Sequence, residues 1–175
     1  MAMRILCLGA ALFFPLFSLQ AAPVEAVVKA VQGRVEACPA GGTFAPLKAG
    51  ARLSSGTRIR TDGSGRAILL VTPGAAACLE KGTSVRLEHL EFSRTADGVA
   101  RRKALLNLRS GTVLSLIDRK NPNVTDFVVR TPQGADAVPG AFYRVTVRGG
   151  KTHVRTTAGQ ADAAARAELK KAIKS

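Results

Sequence analysis

Leu47–Leu70 reads LKAGARLSSGTRIRTDGSGRAILL, and this stretch decides the fold class. Arg58 to Thr61 is a short β-type run that meets Asp62-Gly63, a pair suited to tight reversal because Asp bonds its own backbone and Gly lacks a Cβ. Ala67 to Val71 follows as an apolar run closed by Pro73-Gly74. The same pattern extends both ways. Upstream, Val24 to Val31 breaks at Gly33, and Arg34 to Cys38 ends at Pro39 and Gly41-Gly42. Downstream, Ser84 to Leu87 alternates, with Val85 and Leu87 facing one way and Arg86 and Glu88 the other. Leu105 to Leu108 and Thr112 to Ile117 flank Ser110-Gly111, and Phe127 to Thr131 stops at Pro132. Tyr143 to Val147 alternates with Arg144, Thr146 and Arg148 on the opposite face, and Gly149-Gly150 turns the chain into Thr152 to Thr156. Many short runs between Gly-rich turns predict an all-β domain, sandwich-like or a short β-solenoid.

Two stretches differ. Glu91 to Lys103 is polar, contains Asp97-Gly98 and Arg101-Arg102-Lys103, and reads as a long hairpin with an exposed tip. Ala161 to Lys174 holds no Gly or Pro and many strong helix formers, which predicts a C-terminal helical tail. Its docking residues are expected to be Ala164, Ala167 and Leu169. Lysines near its end suit the helix macrodipole.

The chain opens with Arg4, an apolar run from Ile5 to Leu19, and the small residues Ala21 and Ala22. That order is a secretory signal, and about 15 apolar residues fall short of the ~20 that a spanning helix needs. Cleavage after Ala21 is the expectation; a retained signal-anchor is the competing reading. The predicted organisation is a signal peptide at 1–21, a β domain at 22–159 and a basic helical tail at 160–175. No membrane span is expected after cleavage, which implies a periplasmic or secreted protein.

The formal net charge is +14, and loss of Arg4 with the leader leaves +13. Such a balance suggests an anionic envelope polymer or lipid headgroup as partner, against the plainer reading of a solvated sheet face. Candidate anion-binding residues are Arg58 and Arg60 in one strand, Arg144 and Arg148 in another, and Lys170, Lys171 and Lys174 in the tail. The chain has one Tyr, seven Phe and no Trp, too few aromatics for a platform that stacks single-stranded nucleic acid.

No catalytic, cofactor or metal site is legible. His89 and His153 are the only histidines, and no His, Cys and carboxylate cluster stands at ligand spacing. Ser84, Ser110 and Ser115 lack a nucleophile-elbow context. Glu88 and Glu91 form a carboxylate pair only if a pocket encloses them. Gly63-Ser64-Gly65 and Gly140 are weak phosphate cradles, since neither opens a helix after a strand. Cys38 and Cys78 remain after cleavage, either as a disulfide or as two buried small apolar residues.

The order of glycines and threonines resembles the FecR-type domain of bacterial envelope proteins. The resemblance covers roughly Val27 to Gly159 and rests on VKAVQGRVEA, LKAGARLSSGTRIRTDGSGRAILL, GTSVRLEHLEF, LNLRSGTVLSLI and FVVRTPQGADAVPGAFYRVTV. One departure is Pro139-Gly140-Ala141, where the family carries Arg-Gly-Thr before its aromatic strand. The best-known relatives relay signals from outer-membrane receptors to sigma factors through a cytoplasmic segment and a spanning helix. No such segments are read ahead of this domain, so that role is not carried over. The resemblance implies an envelope-located, non-enzymatic β module for interaction; joined to the basic charge, it gives a binding or sensing module that engages an anionic envelope component or a protein partner. The alternative is a structural β subunit of a larger envelope assembly.

Overall fold

The computed structural model describes residues 24–94, 100–118, 125–136, 142–156 and 160–175. The expected signal peptide, Asp97-Gly98 and Pro139-Gly140-Ala141 lie outside the described residues. Among the described residues thirteen strands run in chain order as β1 Glu25–Gln32, β2 Val35–Cys38, β3 Ala45–Pro46, β4 Arg52–Ser54, β5 Arg58–Thr61, β6 Arg66–Thr72 and β7 Ala75–Leu79. They continue as β8 Ser84–Arg94, β9 Ala100–Ile117, β10 Thr125–Thr131, β11 Gly134–Asp136, β12 Phe142–Arg148 and β13 Lys151–Arg155, and one helix, α1 Gln160–Lys174, follows.

The strands form two halves that share β9. One half has the order β4-β1-β6-β7-β9-β12-β13, the other β3-β2-β5-β8-β9-β10-β11. All described pairings are antiparallel except β9 with β10. The halves close face to face on one core that draws Val28, Leu69, Leu79, Val113 and Val145 from the first and Ile59, Leu87, Leu106, Leu108 and Val129 from the second. Of the two architectures allowed by sequence, the sandwich is the one formed.

Gly33 and Gly111 mark two of the places where the chain changes sheets. Gly33 (φ +61) separates β1 in one half from β2 in the other. Gly111 (φ +91) lies within β9, where the strand passes from its β8 and β10 partners to β7 and β12. Leu105–Leu108 and Thr112–Ile117 are therefore one strand with a bend, not two strands around a turn. A side chain at 111 would reach 2.5 Å from Thr83 Oγ1 and run into the Thr83 backbone. The left-handed backbone and this close approach both require glycine.

Burial follows the sequence alternation. In β5, Ile59 and Thr61 are buried while Arg58 and Arg60 are exposed. β7 (AAACL) is buried throughout, because the core covers one face and α1 the other. Its sequence shows no alternation for that reason, and sequence reading passed over it.

The tail helix docks on the outer face of the first half. Ala165, Leu169 and Ala172 pack against Ile68, Ala76, Cys78, Leu114, Leu116 and Phe142. Ala164 and Ala167, expected to dock, are exposed; the spacing i, i+4, i+7 places residues 165, 169 and 172 on the sheet-facing stripe instead. Asp162, in the first turn, bonds Arg144 of β12, and Arg66 of β6 bonds Glu168 at 2.5 Å.

Cys38 and Cys78 are buried and free. Glu36 and Cys38 alternate with the core residues Val35 and Ala37, which puts Cys38 on the outer face of the second half. Its thiol donates to the Gly42 carbonyl at 3.1 Å. Cys78 faces α1 outside the first half. The core lies between them, so the disulfide allowed by sequence is not formed and the reading as small buried residues applies.

Candidate functional site

The Gly-Thr landmarks turn out to be joints. Thr61 Oγ1 donates to the Glu80 carbonyl at 2.6 Å and accepts from the Thr83 amide at 2.8 Å. Thr83 Oγ1 does the same with the carbonyl and amide of Thr112, at 3.1 and 3.0 Å. Hydroxyls with one donor and two acceptor sites satisfy the backbone where strands change sheets. Asp62 accepts the amide and hydroxyl of Ser64, both at 2.8 Å, in an Asx-type turn. These bonds hold its carboxyl below the usual range. Gly63-Ser64-Gly65 is thus a capped turn rather than an anion cradle.

The ligand-capable surface is the outer face of the second half. Antiparallel register sets Cys38 opposite Arg58, Arg58 opposite Arg86 and Arg86 opposite Asn107, and the parallel pair sets Asn107 beside Arg130. These residues form one row across five strands. Directly opposed side chains lie about 5 Å apart, and like charges in that relation repel. Arg58 and Arg86 nevertheless face each other across β5 and β8, both exposed.

The carboxylates nearest this row, Glu36 and Glu88, are already held. Glu36 accepts from Arg34 at 2.9 Å and from Arg60 at 2.6 Å, and those two guanidinium groups hold its carboxyl below the usual range. Glu88 accepts from Arg130 and from the Asn107 amide, each at 2.8 Å. Among the described residues no carboxylate pairs with Arg58, Arg86 or the exposed Arg109. Phe44, half-buried in the β2–β3 connection, stacks under the neighbouring guanidiniums, 4.0 Å from Arg60 Cζ and 5.4 Å from Arg58 Cζ. Planar stacking of this kind fixes an arginine fork without using its N–H donors.

The residues expected to bind anions therefore fall on different surfaces. Arg58 and Arg60 lie on the outer face of the second half; Arg60 pairs with Glu36, whereas Arg58 donates to Cys38 Sγ at 3.2 Å and pairs with no carboxylate among the described residues. Arg144 is spent on Asp162 and anchors α1. Arg148 stands exposed at the end of β12, and Lys170, Lys171 and Lys174 line the solvent side of α1. Sequence reading missed Arg86, Arg109 and Phe44. The alternation of Ser84–Leu87 gave Arg86 its outward direction, but only strand register shows that it faces Arg58.

The other candidates are structural. Ser115 is buried opposite Tyr143, whose phenol burial pushes up. Glu88 and Glu91 are separately engaged, Glu91 with His89 at 3.1 Å. His153 is exposed on β13. Among the described residues no three His, Cys, Asp or Glu side chains gather as metal ligands. Nor is any helix among them long and apolar enough to cross a membrane.

The family model described as FecR protein matches residues 57–162, from the entry to β5 through the first turn of α1. No curated protein and no solved structure matches the chain.

Proposed function

The chain belongs to the FecR family of envelope-associated sensing and regulatory proteins, and from that premise we propose that it is an exported, non-enzymatic binding module. It holds an anionic envelope component on the outer face of its second half. The observation that carries this reading is the Arg58–Arg86 pair: two cations in register, exposed, with every nearby carboxylate engaged elsewhere. An anion laid across them replaces mutual repulsion by charge-assisted hydrogen bonds. The net charge, +14 for the full chain and +13 once Arg4 leaves with the leader, draws such a partner in from solution. Export rests on the leader, and mass spectrometry of secreted material should give an N-terminus at Ala22. Recovery of intact Met1 from a membrane fraction would replace this with the signal-anchor.

The test of binding is titration against liposomes containing phosphatidylglycerol, neutral liposomes and an acidic polysaccharide at two salt concentrations. Binding to an anionic surface that weakens as screening increases supports the proposal. The double variant Arg58→Gln/Arg86→Gln should lose most of it, while Lys170→Gln/Lys171→Gln/Lys174→Gln should retain it. Equal binding to neutral and anionic surfaces sinks the reading. Assembly through strand edges is disfavoured by Lys151 and Arg155 on the edge strand β13, since charged edges oppose pairing between copies.

A further inference from the structure

β1 departs from strict alternation at Lys29, and a groove opens beside it. The register against β6 sets Val27 opposite Leu70 and Val28 opposite Leu69, then slips so that Ala30 meets Ile68. Val28 and Val31 face the main core, whereas Ala30 packs on the outer cluster beneath α1. In unbroken alternation Ala30 would share the inward side of Val28. The bulge turns Ala30 outward and leaves Lys29 outward beside it, the re-aiming of side chains that bulges provide.

α1 crosses the outer face of the first half from β12, where Asp162 bonds Arg144, to β6, where Glu168 bonds Arg66. Its last turns reach the flank of β1. Glu168, Lys171, Ala172 and Ser175 stand at i, i+3, i+4 and i+7, a single stripe of the helix. They line one wall of a groove of about 280 Å³, and Lys29, Ala30 and Gln32 line the other, with Arg66 and Ile68 of β6 between. A cavity of roughly 150 Å³ already accepts benzene, and small-molecule sites begin near ~300 Å³. The groove therefore suits one small molecule rather than a peptide or a membrane surface.

The floor of Ala30, Ile68 and Ala172 is apolar. Glu168, the one carboxylate in the lining among the described residues, is taken by Arg66, which also reaches Glu80 at 3.4 Å. At the helix end, the Lys171 and Ala172 carbonyls accept from the Ser175 amide at 3.1 Å and the Ser175 hydroxyl at 3.3 Å. Lys29 and Lys171 pair with no carboxylate among the described residues. Two ammonium groups, one from each wall, thus border an apolar floor whose own acceptors are engaged. Ammonium groups call for an anion, and an apolar floor calls for hydrocarbon. From this geometry we infer that the groove between α1 and the β1 bulge binds a small amphiphilic organic acid. Its anionic head lies between Lys29 and Lys171, and its apolar body rests on Ala30, Ile68 and Ala172. Because both walls are needed, the ligand binds only with α1 docked, and by linkage it clamps the helix to the sheet. The site lies on the opposite side of the sandwich from Arg58 and Arg86.

Octanoate is a suitable probe, with octanamide as the same body without the charge and acetate as the charge without the body. The melting temperature of the full chain should rise with octanoate and stay unchanged with the other two. At octanoate ten times its dissociation constant, hydrogen exchange at the Leu169 amide should slow about tenfold, since exchange there requires α1 to leave the sheet. Lys29→Gln/Lys171→Gln should weaken octanoate binding about tenfold or more, the loss of charge-assisted hydrogen bonds to the head. Lys170→Gln/Lys174→Gln removes two charges of the same helix outside the groove and should leave the affinity unchanged. Arg58→Gln/Arg86→Gln should leave it unchanged too, so this site and the outer face stand or fall separately. No response to octanoate, or an equal one to octanamide or acetate, overturns the assignment. So does octanoate binding that survives in Lys29→Gln/Lys171→Gln, or Leu169 exchange that octanoate does not slow. The three probes on the unmodified chain decide the matter even if a variant does not fold.

Discussion

Leu169→Ala should destabilise the whole sandwich, not only the helix that carries it. Leu169 is fully buried between α1 and the outer face of β6, β7 and β9. The substitution removes three carbons, worth about 2.4 kcal/mol at ~0.8 kcal/mol per methylene. The surface beneath includes Ala76 and Cys78, short side chains on a strand paired on both edges, so the cavity closes only in part. A residual cavity brings the expected loss to about 3–4 kcal/mol. At 2–4 °C per kcal/mol for a chain of this size, melting should fall by roughly 10 °C. Two probes separate the elements. Ellipticity at 222 nm reports α1, and the single tyrosine, Tyr143, is buried in the main core with no tryptophan to obscure it. In guanidinium unfolding both transitions should shift together. A shift of the helical signal with the Tyr143 transition unmoved would mean that α1 docks without supporting the sheets, and a loss below about 1 kcal/mol would refute the packing argument. Ala164→Gln, on the exposed side, should change little.

Gly111→Ala should cost roughly 3 kcal/mol or more in denaturant unfolding, from a strained left-handed backbone plus collision with Thr83, and a near-neutral result would remove the sheet-switch role of that glycine. Because Arg34 and Arg60 depress the Glu36 pKa, the stability it contributes is present above the unfolded value of about 4.3 and is lost as pH falls through the lower folded value. Urea midpoints measured from pH 6 to pH 3 should therefore show a flatter acid limb in Glu36→Gln, and an unchanged limb would contradict the pairing. Burial under α1 pushes the Cys78 thiol up to about 12, so maleimide at pH 7 should leave it unmodified in the native chain and label it on unfolding. Rapid native labelling of Cys78 would show that α1 leaves the sheet readily.

The local chemistry of the sequence determined the all-β class and the helical tail. Asp62-Gly63, Pro73-Gly74 and Gly149-Gly150 bound runs of period two, and residues 161–174 contain no breaker. It also determined that Arg58, Arg60, Arg86, Arg144 and Arg148 point away from the core, because side-chain direction in a strand follows from parity alone. Which outward residues meet is a matter of register, and register depends on partners tens of residues away. Only the tertiary structure therefore set Arg58 against Arg86, took Arg144 out of the cationic set by giving it Asp162, and put the sandwich core between Cys38 and Cys78. β7 stayed illegible because burial on both faces erases alternation. Arg102 was hidden for the converse reason: it stands in a basic run that reads as a solvated hairpin, and only the pairing of β9 with β8 and β10 turns its side chain into the end of the core.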